Sequence, residues 1–364
     1  MGTINGPTLT SAAVNVLPIV LGPTASGKSE LAIHIAQAMG GEIVNCDSMQ
    51  IYRRFDIGTA KVPAAARRGV RHHLIDVADP EQVFTAGEYA RVARDVLGEI
   101  AARGRTAVVV GGTGFYLRAL LEGLFPGPAR DEKIRDRLDR RETKRPGSLH
   151  RILSRLDRVA AARIHPNDKN KIIRALEVRL MEGKPMSELF DRGREPLVGF
   201  QPIKVGLNPP RPLLYQRMDA RAVRIFEQGL IDEVRGLLTA GVPRGAKPFE
   251  SLGYKEALGV IEGRLTPQQG QEAQGLGART PNDRDYCGFS RMWRRDSHRR
   301  GKSHRASTQH DDWRRVACRC GGNAAGGSAA ILRASTDRSR GGRKLWRLPR
   351  IMLMCGLSGV ARAG

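Results

Sequence analysis

Aromatic side chains make up only 5% of the 364 residues, and the five cysteines show no spacing that suggests a disulfide framework. A small secreted scaffold stapled by disulfides is excluded, and a reducing compartment is the expectation. No apolar run approaches the roughly 18 residues that cross a bilayer. No charged segment leads into an apolar one in the manner of a secretory signal. Met1-Gly2 opens like a myristoylation site, but Gly6 stands where Ser or Thr is required. These absences point to a cytoplasmic protein without membrane contact. Acidic residues are the last shortage: 37 Asp and Glu against 61 Lys and Arg, a formal net charge of +24. Such an excess favours a polyanionic partner and says nothing about the fold. The length suggests about two domains, and with no oligomeric signal a monomer is the default.

The organising stretch is Gly22-Pro23-Thr24-Ala25-Ser26-Gly27-Lys28-Ser29. Residues 16–21 before it are apolar and read as a buried strand. Residues 30–39 after it read as a helix, with Leu31, Ile35 and Ala38 near helical spacing. Strand, glycine-bracketed turn and helix form the context that makes G-x-x-x-x-G-K-[ST] a phosphate-binding loop. Consecutive N–H groups point inward and the helix adds its positive end, so the loop cups an anion. Lys28 would reach the outer phosphate and the Ser29 hydroxyl would ligate magnesium.

Further along, residues 41–47 read as a second strand that ends in Asp47. In an open parallel sheet, strand C-terminal ends surround the ligand crevice, which sets Asp47 near the phosphate loop. There it could hold magnesium or act as a general base; an Asx turn or helix cap is equally consistent. His72-His73 opens a third short strand, expected to show one buried and one exposed imidazole rather than a metal site. Thr85-Ala86-Gly87-Glu88 is a capping box opening a helix, with Val92, Val96 and Ile100 along one side. Residues 105–110 form a clear strand, followed by Gly111-Gly112-Thr113-Gly114 and a helix. The alternation predicts an α/β class with a mainly parallel sheet. No acidic residue ends the strand at Val110, as one does in motor ATPases. Backbone and a hydroxyl stand there instead, suited to close approach by a substrate.

Residues 126–202 lose strand signals and become charged and helical, reading as an inserted domain with Lys171, Arg174 and Arg179 available to an anion. Strand character returns at 203–207, then one long helical stretch runs to Leu238. The predicted organisation is a lead-in at 1–15, an α/β core at 16–125 plus 203–273, the insert, and a tail from 274.

The ordered set of the phosphate loop, Asp47-Ser48-Met49-Gln50-Ile51-Tyr52, Asp56-Ile57-Gly58-Thr59-Ala60-Lys61, Gly-Gly-Thr, His165-Pro166-Asn167-Asp168 and Ser251-Leu252-Gly253-Tyr254-Lys255-Glu256 closely resembles the tRNA dimethylallyltransferase family over roughly residues 16–273. That resemblance implies a P-loop NTPase-like core with an inserted helical tRNA-binding domain. It implies transfer of a dimethylallyl group from its diphosphate to N6 of the adenosine just 3′ of the anticodon, with Mg2+. Residues 22–29 would bind the diphosphate, Asp47 would be the general base, and Arg221 would meet the diphosphate. Thr113 matches a catalytic and tRNA-contact position. Further tRNA contacts are implied at Asp47, Ser48, Met49, Gln50, Arg135, Asn170, Lys171, Ile172, Ile173, Arg174, Ser251, Leu252, Gly253, Tyr254, Lys255 and Glu256. Two other readings use the same features: a small-molecule kinase binding ATP on the loop, and a tRNA-binding protein that has lost catalysis.

The likeness stops near residue 274. Residues 274–364 carry 20 basic and 6 acidic side chains, four of the five cysteines and all three tryptophans, with no glutamate. Where family members resemble Tyr-Ala-Lys-Arg, this chain reads Thr280-Pro281-Asn282-Asp283. Those four residues can be encoded as ACG CCA AAC GA, and with one preceding T the neighbouring frame reads Tyr-Ala-Lys-Arg. The tail is therefore expected to be out of frame and poorly ordered, and Cys318, Cys320, Cys287 and His304 lack zinc-finger spacing. Resequencing the coding DNA should reveal a one- or two-base indel near codons 270–277; a confirmed frame without one would refute this.

Overall fold

The computed structural model describes residues 14–125, 127–191, 193–279 and 332–335. Residues 1–13 of the expected lead-in and most of the tail, with its cysteines, lie outside them. Asn15 already begins the first strand.

Five parallel strands form the sheet: β1 (Asn15–Leu21), β2 (Glu42–Asn45), β3 (His72–His73), β4 (Ala107–Val110) and β5 (Phe200–Leu207), in the order β3-β2-β4-β1-β5. Residues 332–335, β6, pair antiparallel with β5. Strand side chains alternate between faces with a period of two. Leu17, Ile19 and Leu21, with Val44, Cys46, Ala107 and Val109, belong to the large core. Val20, Ile43, Val108 and Val110 belong to a smaller core on the other face. The P-loop-type α/β class read from the sequence is the one observed.

Helix α1 (Lys28–Ala38) covers the smaller face. Its buried residues are Ala32, Ile33 and Ala36, one step off the expected Leu31, Ile35 and Ala38 stripe; Leu31 and Ile35 pack only partly. Small side chains let the helix lie close to the strands. Helix α2 (Ala86–Ala102) starts on the capping box, with both reciprocal bonds between Thr85 and Glu88 formed. Helix α3 (Gly114–Glu122) packs beside it, and the Tyr89 and Tyr116 rings stack at 4.4 Å. The buried side of α2 is Tyr89, Ala93, Leu97 and Ile100, with Val92 and Val96 at its margin.

Neither imidazole of the histidine pair is fully exposed, contrary to expectation. His72 Nδ1 meets Val70 O at 2.9 Å, and His73 Nε2 meets Glu42 at 2.6 Å. Burial alone would raise the Glu42 pKa, but the His73 and Arg103 hydrogen bonds outweigh it and hold the carboxyl below its ordinary value.

Between α3 and β5 lie α4 (Glu132–Lys144), α5 (Ser148–Leu156), α6 (Arg158–Arg163), α7 (Lys169–Glu182) and α8 (Met186–Asp191), around their own core of Leu138, Leu149, Leu153, Ile172, Ile173 and Leu176. Aspartates cap three of them: Asp131, Asp157 and Asp168 accept from Ile134 N, Ala160 N and Lys171 N. The His165-to-Asp168 motif thus serves as the turn that starts α7.

After β5 come α9 (Arg211–Glu227), α10 (Leu230–Thr239) and α11 (Tyr254–Ile261). The single helix expected through Leu238 is broken because Gly229 takes the left-handed conformation at φ 93°. Residues 267–279, α12, are helical, so the first residues of the expected atypical tail are ordered. Gln274 is buried, and Arg279 pairs with Asp219 and lies 5.4 Å over the Tyr215 ring.

Asp157 is buried and accepts from Ser187 N and Ser187 Oγ as well as from Ala160 N, tying α6 to α8. Burial opposes its charge, yet these bonds lower its pKa. A depressed carboxyl contributes stability above its unfolded pKa of about 3.9 and loses it as pH falls through the folded value. Asp157→Ala should cost about 1–3 kcal/mol at neutral pH, and the difference from wild type should shrink below about pH 4. Thermal melts across that range would show it; a constant difference would refute the assignment.

Candidate active site at the strand ends

The C-terminal ends of β1, β2 and β4 open into one pocket. It is lined by Thr24, Lys28 and Ser29 from the phosphate loop, Asn45, Asp47 and Gln50 after β2, Gly111 after β4, and Arg221 from α9. The loop holds its shape through Ser26 N donating to Pro23 O, with Gly27 left-handed at φ 91° immediately before α1. The N-terminus of α1 has no side-chain cap, which leaves its first N–H groups open to water or an anion. Lys28 Nζ donates to Pro23 O at 2.6 Å, folding the ammonium over the loop. Ser26 Oγ is buried without a hydrogen-bond partner. An orphaned hydroxyl in a phosphate loop fits a ligand oxygen.

Asp47 forms the Asx turn that was one of the two readings the sequence left open. Its Oδ1 accepts from Met49 N at 2.9 Å and Gln50 N at 3.4 Å, an Asx turn. The carboxylate also faces the pocket with Arg221, and its charge opposes the lowering of the half-buried guanidinium's pKa that burial causes. Thr113 Oγ1 accepts from Ser48 N at 3.0 Å and donates to Ser48 Oγ at 3.3 Å, so it braces the Asp47 turn from β4's side. Gly111 was expected to give a substrate room. The structure shows a different need: a Cβ there would lie 2.0 Å from the Cys46 carbonyl oxygen. Burial pushes the Cys46 thiol up to about 12, so it is no nucleophile at neutral pH.

The implied RNA-contact residues divide by burial. Ile172, Ile173, Tyr254 and Glu256 are buried, so their side chains serve packing and internal bonds, a correction to the whole-segment expectation. Asn170, Lys171 and Lys255 are exposed, and Ser251 and Leu252 are half-buried. Gly253 is buried at the turn into α11, where its N–H donates to Glu256. Arg135 and Arg174 both bond the fully buried Glu177, at 3.1 and 2.8 Å, and keep part of their surface exposed. Ile43, Thr59, Ala60, Val62, His72, Ile75 and Val110 also line the pocket and were not expected there from the sequence. Thr59 and Ala60 lie in a quoted motif, which was the available signal. No cluster of three or more His, Cys, Asp or Glu side chains suited to a metal is present among the described residues.

A phosphate loop and an uncapped helix end face a carboxylate and an arginine across one pocket. That arrangement is the site of an enzyme of the P-loop class. The family model described as IPP transferase matches residues 50–280. A tRNA dimethylallyltransferase of Solibacter usitatus is 61% identical over 249 residues, covering 68% of this chain and 81% of its own. One from Koribacter versatilis is 54% identical over 277 residues, covering 76% and 90%. Among solved structures, the full-length tRNA isopentenylpyrophosphate transferase of Bacillus halodurans is 34% identical, covers 76% of this chain and 87% of its own, and aligns at a TM-score of 0.55. A eukaryotic dimethylallyltransferase described as acting on tRNA is 27% identical, covers 74% and 69%, and aligns at 0.63. The chain belongs to the IPP transferase family, whose curated relatives are tRNA dimethylallyltransferases.

Thr113→Val would leave Ser48 N–H without its acceptor and should cost about 1–2 kcal/mol. Thr113→Ser keeps the oxygen and should recover most of that loss in a denaturant melt. Equal stability of the valine variant and wild type would refute the bracing role.

Proposed function

We propose that this protein transfers a dimethylallyl group from dimethylallyl diphosphate to N6 of the adenosine just 3′ of the anticodon in tRNA, releasing diphosphate. One observation carries the assignment of roles: Asp47 stands in the same pocket as the phosphate loop and Arg221. The exocyclic amine is conjugated with its ring and weakly nucleophilic. As N6 bonds to C1 of the donor, the C1–O bond breaks and its electron pair leaves with the diphosphate. Asp47 takes the proton that N6 loses. Growing charge on the leaving group is met by Lys28, Arg221 and the N-terminus of α1.

The donor set also suits a hard cation. Ser29 and Asp47 offer one hydroxyl and one carboxylate beside the phosphate loop, and these are the residues that would hold Mg2+, a cation that takes few protein ligands. Bound there, Mg2+ would neutralise diphosphate charge. We propose that the enzyme acts as a monomer. Its RNA substrate supports a cytoplasmic location. Exposed Asn170, Lys171 and Lys255, with the partly exposed Arg135 and Arg174, are the groups we assign to the RNA backbone. The anticodon loop is single-stranded, so presenting one adenine costs only about a few kcal/mol.

Asp47→Asn separates structure from chemistry, because the amide oxygen still accepts from Met49 N and Gln50 N but cannot take the proton. With labelled donor, Mg2+ and an anticodon stem-loop, turnover should fall about 10²–10⁴-fold at an almost unchanged melting temperature. Turnover within about threefold of wild type would remove Asp47 as the base.

A further inference from the structure

Three consecutive N–H groups in the loop after Phe55 converge on one carboxylate–phenol pair. Asp56 N and Ile57 N donate to Glu233 Oε2 at 3.1 and 2.8 Å, and Gly58 N donates to the Tyr254 hydroxyl at 3.2 Å. The Tyr254 hydroxyl donates in turn to Glu233 Oε1 at 2.5 Å. Successive N–H groups of this kind form a concavity that holds anions; here the anion is the chain's own. Gly58 is required, since a Cβ there would lie 2.3 Å from the Tyr254 ring. Tyr254 is fully buried, with its ring centroid 4.8 Å from that of Phe55. Burial and the neighbouring Glu233 charge push the phenol well above its ordinary value, so it remains a proton donor.

What this pair fixes is one wall of the pocket. Thr59 and Ala60, the next two residues, line it, and the same loop delivers Val62 to the lining with Ile43, Ile75 and Val110. Ala60 is left-handed at φ 49°, a conformation that a free loop rarely holds for a residue with a Cβ. The wall is then joined to the base: Gln50 Nε2 donates to Thr59 O at 3.1 Å, and Gln50 N donates to Asp47 Oδ1. From the other end, the buried Lys61 ammonium bonds Tyr52 O, Asp56 and Asp76. Neither Glu233 nor Tyr254 lines the pocket.

The geometry points to Glu233 and Tyr254 as positioning residues that shape, from outside, the wall against which the alkyl part of the donor rests. This deepens the transferase reading and rests on it. The phosphate loop is built from residues 22–29 and owes nothing to this pair, so the diphosphate and alkyl ends of one ligand answer to different supports.

Tyr254→Phe keeps the ring packing and removes both hydroxyl bonds; Glu233→Gln keeps one acceptor oxygen and removes the charge. Calorimetric binding of dimethylallyl diphosphate and of inorganic diphosphate would be compared for both variants and wild type. Affinity for the prenyl ligand should fall about 5- to 20-fold while that for inorganic diphosphate stays within about twofold. In turnover, the KM for the donor should rise and that for the stem-loop should hold. Equal losses for both ligands, or no loss for either, would overturn the positioning role whatever the melting temperatures show. A wild-type chain that binds both ligands but transfers no prenyl group would sink the transferase reading, and the two-ligand comparison would still decide this one. Wild type binding inorganic diphosphate but not the prenyl ligand would overturn both.

Discussion

The ends of β2 and β4 pass so closely that the Cys46 carbonyl oxygen occupies the space a side chain on Gly111 would need. The rest of the site depends on that contact. It brings Asp47, the next residue after Cys46, beside Thr113, two residues after Gly111, so the two strand exits share a hydrogen-bonded corner. β1 pairs with β4 on its other side, which sets the phosphate loop against the same corner. Three loops far apart in sequence thus meet because parallel strands end at one edge. A bulkier residue at position 111 would push the corner open before it touched any ligand.

Buried and half-buried carboxylates do much of the remaining organisation, each at a place where backbone N–H groups or cations need an acceptor. Glu233 templates the loop at 56–58, Glu177 holds Arg135, Arg174 and the N–H of Asp131, and Glu42 gathers His73 and Arg103. Leaving any of these acceptors out would strand several donors at once, which costs more than a single exposed pair contributes. In a chain with a large basic excess, such pairing also decides which cations remain directed outward. Arg135 donates to Glu177, Arg174 donates to Glu177 and to Pro128 O, and both stay partly exposed in a fixed posture that a freely solvated arginine lacks.

Much of this was legible in the sequence, and the parts that were not share a cause. The phosphate loop, the Thr85 capping box and the α/β alternation follow from local patterns a few residues long, and each formed as read. The stripe on α1 was misplaced because helical spacing alone does not say which face meets the sheet, and the sheet selects the small Ala32 and Ala36. The helix through Leu238 was misread because the break rests on one glycine, Gly229, whose left-handed backbone turns the chain. Tyr254 and Glu256 were carried into an RNA-facing role as part of a motif, and only packing reveals that they face inward. Pocket residues such as His72 and Ile75 had no signal at all, since they are assembled by distances between strands rather than by spacing along the chain.

The point at which the likeness was read to end gains meaning from α12. Residues 267–279 pack against the helix that carries Arg221: Arg279 bonds Asp219, and there is no room for a Cβ at Gly270 without crowding Phe226. The same helix reaches the 251–256 segment, where a Cβ on Gly277 would meet Leu252 at 2.6 Å. A change of frame near this helix therefore falls behind the pocket, not at a distance from it. Its effect on catalysis would travel through the seating of α9 and the posture of Arg221, while the phosphate loop and Asp47, held by the strand ends, would keep their geometry. Under the roles proposed for Arg221 and Asp47, damage there would take the form of lost diphosphate stabilisation with the base retained.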